Sequence, residues 1–167
     1  MNYTQDVALA SKGDTEAFSR LYSSVYKDLY HIALYCLGNS HDACDTVSET
    51  VMDAFCSIGK LRKPESFKSW IMRILSVKIK RHQTFKSNYR SDAEIPENLD
   101  FSYDFDYLSV ELKEALSELD SQSRMILSLS VLGGYTSDEI AEICSMNPAT
   151  VRSKLTRTKQ KLKMKLE

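Results

Sequence analysis

Four carboxylates, Asp42, Asp45, Glu49 and Asp53, recur every three or four residues, a spacing that lines side chains along one face of a helix. Clustered acids can exchange protons, hold a metal, or present a charged face to a partner. Proton exchange needs pKa values moved by neighbours, and the sequence supplies no nucleophile for such a base to serve. A metal needs ligands at suitable spacing; His41 and Cys44 are three apart, but no second pair accompanies them. Met52 and Cys56 interleave apolar atoms with the acids, which favours a protein contact over a solvated acidic face. No metal, cofactor or catalysis is expected.

The cations suggest a second chemistry. Lys60 to Arg90 holds 10 Lys and Arg against one acid, Glu65. They begin in a stretch punctuated by Gly59 and Pro64 and continue through a helical period whose apolar side is Phe67, Trp70, Ile71, Ile74 and Leu75. This pattern fits a surface that tracks phosphates, with Trp70 assigned to the core rather than to base stacking.

A third group lies near the C-terminus. Thr136 to Cys144 reads as a short capped helix with Ile140, Ala141, Ile143 and Cys144 on its apolar face. After a break at Ser145-Met146-Asn147, Pro148 opens a second helix at the position that tolerates a missing N–H. On this second helix Val151, Leu155, Thr158 and Leu162 share one side, while Ala149, Ser153, Thr156, Arg157 and Gln160 point away. Arg152, Lys154, Lys159 and Lys161 flank them, and no acid occurs between Pro148 and Leu166. Two helices and a tight turn with a basic, acid-free outer face predict a helix-turn-helix in a DNA major groove. The plain alternative is a solvated basic helix packed on its own domain.

The elements needed to position these groups are helical. Asp6 to Lys12 is a short helix, and Phe18 to Leu37 a core helix that includes Tyr22 and Tyr26. Asp42 to Ile58 buries Val47, Val51, Ala54, Phe55 and Ile58 opposite the acids, and Ser66 is placed to cap the helix from Phe67. Asn88 to Asp106 has no helical period and reads as an acidic tether. Tyr107 to Leu119 and Ser121 to Leu132 are further helices before Gly133-Gly134. The net charge of -1 hides an uneven distribution: residues 92–119 carry one Lys or Arg against nine acids, between two basic lobes. Four cysteines without a Cys-x-x-Cys predict reduced, mostly buried thiols and a cytoplasmic chain. No run approaches the ~20 apolar residues of a membrane span, and membrane insertion is not expected.

Asp42-Ala43-Cys44-Asp45-Thr46-Val47-Ser48-Glu49, Phe67-Lys68-Ser69-Trp70-Ile71-Met72-Arg73-Ile74 and the segment from Leu112 through Leu162 resemble, in order and separation, the extracytoplasmic-function sigma factors of bacterial RNA polymerase. The resemblance implies an all-α chain of two small helical domains, 1–87 (region two) and 107–167 (region four), joined by a flexible acidic linker over 88–106. It implies that Asp42, Asp45, Ser48, Glu49, Met52 and Asp53 dock on the clamp of the largest subunit of core polymerase. Lys60, Arg62, Lys63, Ser66, Lys68, Arg73, Val77, Lys78, Arg81 and His82 would meet and melt the minus-ten element. Ala149, Thr150, Arg152, Ser153, Lys154, Thr156, Arg157 and Lys161 would read the minus-thirty-five element. An anti-sigma partner is implied as well.

Three positions depart from the family pattern. Ser48 stands in place of a usual Gln, Val77 in place of a frequent Asn, and Asp120 in place of a common Pro, the last as a cap for the next helix. Two other classes are weighed against the family. A stand-alone helix-turn-helix repressor or activator would need a dimer seam, and a helical hydrolase using Asp42, Asp45 and Glu49 would need a metal or base.

Overall fold

The computed structural model describes residues 2–89 and 110–167. The expected acidic linker from residue 90 onward, and the start of the helix expected from Tyr107, lie outside those residues. Among the described residues the chain forms α1 (Tyr3–Ser11), α2 (Thr15–Leu37), α3 (Ser40–Ser57), α4 (Phe67–Tyr89), α5 (Val110–Ser117), α6 (Ser121–Val131), α7 (Ser137–Cys144) and α8 (Pro148–Leu166). Two 3-10 turns, Ile58–Lys60 and Pro64–Ser66, connect α3 to α4. Ser66 lies inside the second turn, where its carbonyl accepts from the Ser69 hydroxyl.

Helix ends fall where local chemistry satisfies their orphan groups. Asp14 accepts from the Ala17 N–H at the start of α2, Asn39 from the Asp42 N–H at the start of α3, and Asp120 from the Ser123 N–H at the start of α6. α2 stops at Gly38, whose φ of 70° is a left-handed conformation open to glycine, and whose N–H donates to the Leu34 carbonyl. α4 runs to Tyr89, one residue past Asn88, where the tether is expected to begin.

α2, α3 and α4 pack around Leu21, Leu29, Ile32, Val47, Ile71, Leu75 and Ile79, with α1 closing one end through an Arg20–Asp6 ion pair of 2.7 Å. α5 to α8 surround Leu116, Ile126, Leu129, Ile140, Ile143 and Val151. Each such side chain contributes about 1.5–3 kcal/mol on burial. These two sets are contiguous: α2 packs on α6 and α4 on α7, so a single apolar cluster runs through both halves.

Three burial expectations need correction. Tyr26, on the core helix, is 46% exposed, its ring lying between those of Tyr22 and Tyr30 at the edge of the α2 stripe. Cys36 and Cys144 are buried, but Cys44 and Cys56 are exposed: Cys44 sits at the margin of the buried stripe of α3, one turn from Val47, and Cys56 shares the outer side of the helix with Met52 and Asp53. Phe55 is 38% exposed; it sits at the margin of the α3 stripe, with its ring edge-on to Phe18 at 5.1 Å. The buried face of α3 is completed instead by Ala43, Thr46 and Thr50, with the Thr50 hydroxyl donating to the Thr46 carbonyl at 2.8 Å.

Candidate polymerase and nucleic-acid interfaces

On α3, Asp45, Ser48, Glu49, Met52 and Asp53 are exposed, Met52 by 68%. Asp42 is not part of that free face. Its side chain is only 14% exposed, its carboxylate accepts from Lys86 Nζ, and His82 Nε2 approaches the same oxygen at 3.3 Å. Burial by itself would raise the Asp42 pKa. The hydrogen bond and charge of Lys86, joined by His82, outweigh that and hold the carboxyl below its ordinary range.

The acids and cations treated as separate surfaces in the sequence adjoin in space. Lys78, whose side chain is 13% exposed, lies 2.6 Å from Asp53 and 3.9 Å from Glu49. A 3.6-residue repeat puts Lys78, His82 and Lys86 on the side of α4 that meets α3, so they fasten the two helices together. Of the expected minus-ten residues, Lys78 and His82 are therefore engaged within the protein. Lys60, Arg62, Lys63, Lys68, Arg73, Val77 and Arg81 are exposed, and Ser66 is half-buried.

Two open grooves run end to end along α4. The first, about 330 Å³, is lined by Asp53, Ser57, Trp70, Arg73, Ile74, Val77, Lys78 and Arg81; the second by Val77, Lys80, Arg81, Thr84 and Phe85. Together they form a trough with an apolar floor and a cationic rim, suited to an unstacked strand whose phosphates meet Arg and Lys. Trp70, assigned to the core, is half-buried: it packs against the central cluster and also lines the trough. Phe85, 61% exposed, was missed as a site residue. Its signal was present, since it interrupts the polar run Arg81-His82-Gln83-Thr84 outside the apolar stripe.

The helix-turn-helix is built as its sequence predicts. Thr136 caps α7 by accepting from the Glu139 N–H, while the Glu139 carboxylate accepts from the Thr136 N–H at 2.7 Å, a reciprocal box that fixes the entry to α7. Ser145 makes the turn at φ 54°, and Asn147 caps α8 with Pro148 as its first residue. Val151 and Thr158 are buried, and Leu155 and Leu162 half-buried, against α5 to α7. Ala149, Thr150, Arg152, Ser153, Thr156, Arg157 and Lys161 are exposed, and Lys154 is half-buried. Arg157 Nε donates to the Ser153 carbonyl at 3.3 Å and Arg152 lies 3.5 Å from Asp138, so both guanidinium groups start from a defined position.

A helix-turn-helix joined to a three-helix unit with an acidic shoulder and a basic trough defines a promoter-reading initiation factor. Residues 21–88 match the family Sigma-70 region 2, and residues 109–162 match Sigma-70, region 4. The chain is 32% identical over 143 residues to RNA polymerase sigma factor SigV of Bacillus subtilis, covering 84% of this chain and 85% of that protein. It is 26% identical over 175 residues to ECF RNA polymerase sigma factor SigW of the same organism, covering 93% and 91%. Its fold is similar to that of the sigma factor RpoE in a complex with the anti-sigma factor NepR from Bartonella quintana, with TM-score 0.77, 21% identity, and 89% and 96% of the two chains covered. It is also similar to CnrH in complex with the cytosolic domain of CnrY, with TM-score 0.71, 20% identity, and 96% and 94% covered. The chain belongs to the extracytoplasmic-function sigma factors of the sigma-70 family. It is a promoter-recognising RNA polymerase sigma factor. The stand-alone repressor is not favoured, because it leaves the region 2 match over 21–88 without a role. No helix among the described residues is long and apolar enough to cross a membrane.

Proposed function

We propose that α3 docks on the clamp of core polymerase through Asp45, Ser48, Glu49, Met52 and Asp53, with Asp42 holding α3 to α4 rather than meeting the partner. The α4 trough then receives the melted strand of the minus-ten element, with Arg73 and Arg81 at its phosphates and Val77 and Trp70 along its floor. Lys60, Arg62, Lys63, Ser66 and Lys68 form the approach to it. Extruding a base costs a few kcal/mol, which the phosphate contacts and the pocket must return. The exposed face of α8 reads the minus-thirty-five element in the major groove. This division assigns residues 1–87 to polymerase binding and melting and 107–167 to upstream recognition. The protein works as a binding factor in the cytoplasm, without catalysing a reaction itself.

The observation that carries this reading is the adjacency of an exposed acidic shoulder and a cation-rimmed trough on two helices locked together by Lys78 and Asp53. Polymerase binding and strand capture become two sides of one rigid unit. Since RpoE is seen with the anti-sigma factor NepR and CnrH with the cytosolic domain of CnrY, an anti-sigma partner is proposed for this chain too. The test is run-off transcription with bacterial core polymerase and a pool of promoter fragments. Wild-type protein is expected to select a two-element promoter, and Glu49→Lys to lose both the transcript and co-elution with core. Transcription unaffected by the charge reversal would remove α3 from the polymerase interface.

A further inference from the structure

α4 presents three sides, and two of them are taken up within the protein. Phe67, Ile71, Leu75 and Ile79 are buried in the core, while Lys78, His82 and Lys86 meet the acids of α3. The third side carries Trp70, Ile74, Val77, Arg81 and Phe85, spaced four, three, four and four residues apart, which keeps them on one stripe at about 3.6 residues per turn. A single exposed apolar residue needs no explanation, but Phe85 continues a stripe that already forms the floor of the trough.

The two grooves of the trough differ in charge. The first, which includes Trp70, also holds Asp53, whose carboxylate is bound by Lys78 at 2.6 Å. The second is bounded by Val77, Lys80, Arg81, Thr84 and Phe85, none of them acidic. Lys80 Nζ donates to the Cys144 carbonyl at 3.1 Å, so Arg81, which lines both grooves, is the cation best placed for a phosphate passing between them. Val77, 46% exposed, forms the ridge between the grooves. An Asn there would set an amide in need of hydrogen bonds on that ridge; Val77 leaves the floor apolar from one groove to the next. At the far end stands the Phe85 ring, 61% exposed.

Length separates the two aromatic positions. The fifteen residues from Trp70 to Phe85, at about 1.5 Å each, span roughly 22 Å along the helix axis. Bases stacked in a strand are ~3.4 Å apart. Neither one base nor two neighbours can therefore reach both rings, and the trough has room for two base contacts with several nucleotides between them.

We propose that the second groove is a nucleotide site of its own, in which an unpaired base stacks on the Phe85 ring while Arg81 holds a phosphate beside it. The inference rests on the strand-capture reading of α4 and adds a second site to it. Every base offers a π-face to an aromatic ring, so this site senses that a base is unpaired rather than which base it is. Bases inside a duplex are stacked on one another and present no such face.

The test uses full-length protein assembled with bacterial core polymerase and a fluorescent single strand from a promoter that supports run-off transcription. Capture is measured by anisotropy, with each base of the strand removed in turn to leave an abasic sugar. Wild type should show two separate sensitive positions, several nucleotides apart. Phe85→Ala should weaken capture of the intact strand at least ~5-fold, leave duplex binding unchanged, and abolish sensitivity at one of the two positions only. Phe85→Trp should restore it, and the loss should be the same whichever base occupies that position. Salt separates stacking from charge: Arg81→Gln should flatten the slope of log affinity against log salt by about 0.7, whereas Phe85→Ala should leave the slope as it is.

Phe85→Ala that captures every strand as wild type does would overturn the second site. So would a loss that no abasic position suppresses, or a loss of co-elution with core, which would assign the groove to a protein contact. The underlying reading fails differently: wild-type holoenzyme that binds duplex but captures no single strand would remove the strand from α4 altogether. Capture that keeps one sensitive position and ignores Phe85 would overturn the second site alone.

Discussion

Single residues on α8 are proposed to make two different kinds of DNA contact. Arg157 lies on the outward face with Ser153 and Thr156, the face that in the proposed reading would meet base edges, whereas Lys154 is half-buried on the flank, where it would meet phosphates. Arg157→Ala is therefore expected to weaken binding to a selected promoter by about 1–3 kcal/mol while leaving random duplex much less affected. Lys154→Ala should weaken both alike. Fluorescence anisotropy on the two duplexes checks this, and equal losses for both variants on both DNAs would reverse the face assignment. Asp42 makes a prediction in pH. Its depressed pKa gives a stabilisation that is present above the ordinary carboxylate range and is lost as pH falls through the folded-state value. Asp42→Asn should cost roughly 1 kcal/mol near neutrality and flatten the decline in stability below about pH 4, as measured by urea unfolding across pH.

At the scale of elements, the helices and their ends were legible because capping and periodicity are local. Asp14, Asp120, Thr136, Asn147 and Pro148 all occupy the positions their chemistry suggests. The pairing of acids with cations was not legible, because it depends on the angle at which α3 meets α4, which no pattern within either helix encodes. That is why Asp42 could be grouped with Asp45 and Glu49 although it faces Lys86. Phe55 and Cys44 were misread for a related reason: both lie at the edge of a helical stripe, where a few degrees of rotation decide burial. The turn between α6 and α7 shows another constraint hidden in sequence. A Cβ on Gly133 would lie 2.8 Å from the Leu129 carbonyl oxygen and 2.5 Å from the Tyr135 ring. Gly133→Ala should cost about 1–3 kcal/mol in thermal or urea unfolding, because a backbone oxygen cannot move aside as a side chain can. A loss below the precision of such measurements would mean that the turn relaxes freely.

For the whole molecule, the sequence conveyed two lobes and the order of three motifs, but not that the lobes share one apolar cluster. Composition gives each half a core of its own; it does not reveal that Ser76 and Cys36 are buried by residues far along the chain. Side chains of α4 also reach the C-terminal end of α7, the Ser76 hydroxyl to the Ile143 carbonyl and Lys80 Nζ to the Cys144 carbonyl, so contacts at one helix end help hold the two halves as one body.

Trp70 is the sole tryptophan in the chain and lies on the floor of the α4 trough. The protein thus contains an intrinsic optical probe at the place where a nucleobase is expected. A base stacking near the indole should quench its emission, and a single strand should do so more strongly than duplex of the same sequence. Strand capture can then be followed in real time by stopped flow, with native protein and unlabelled DNA.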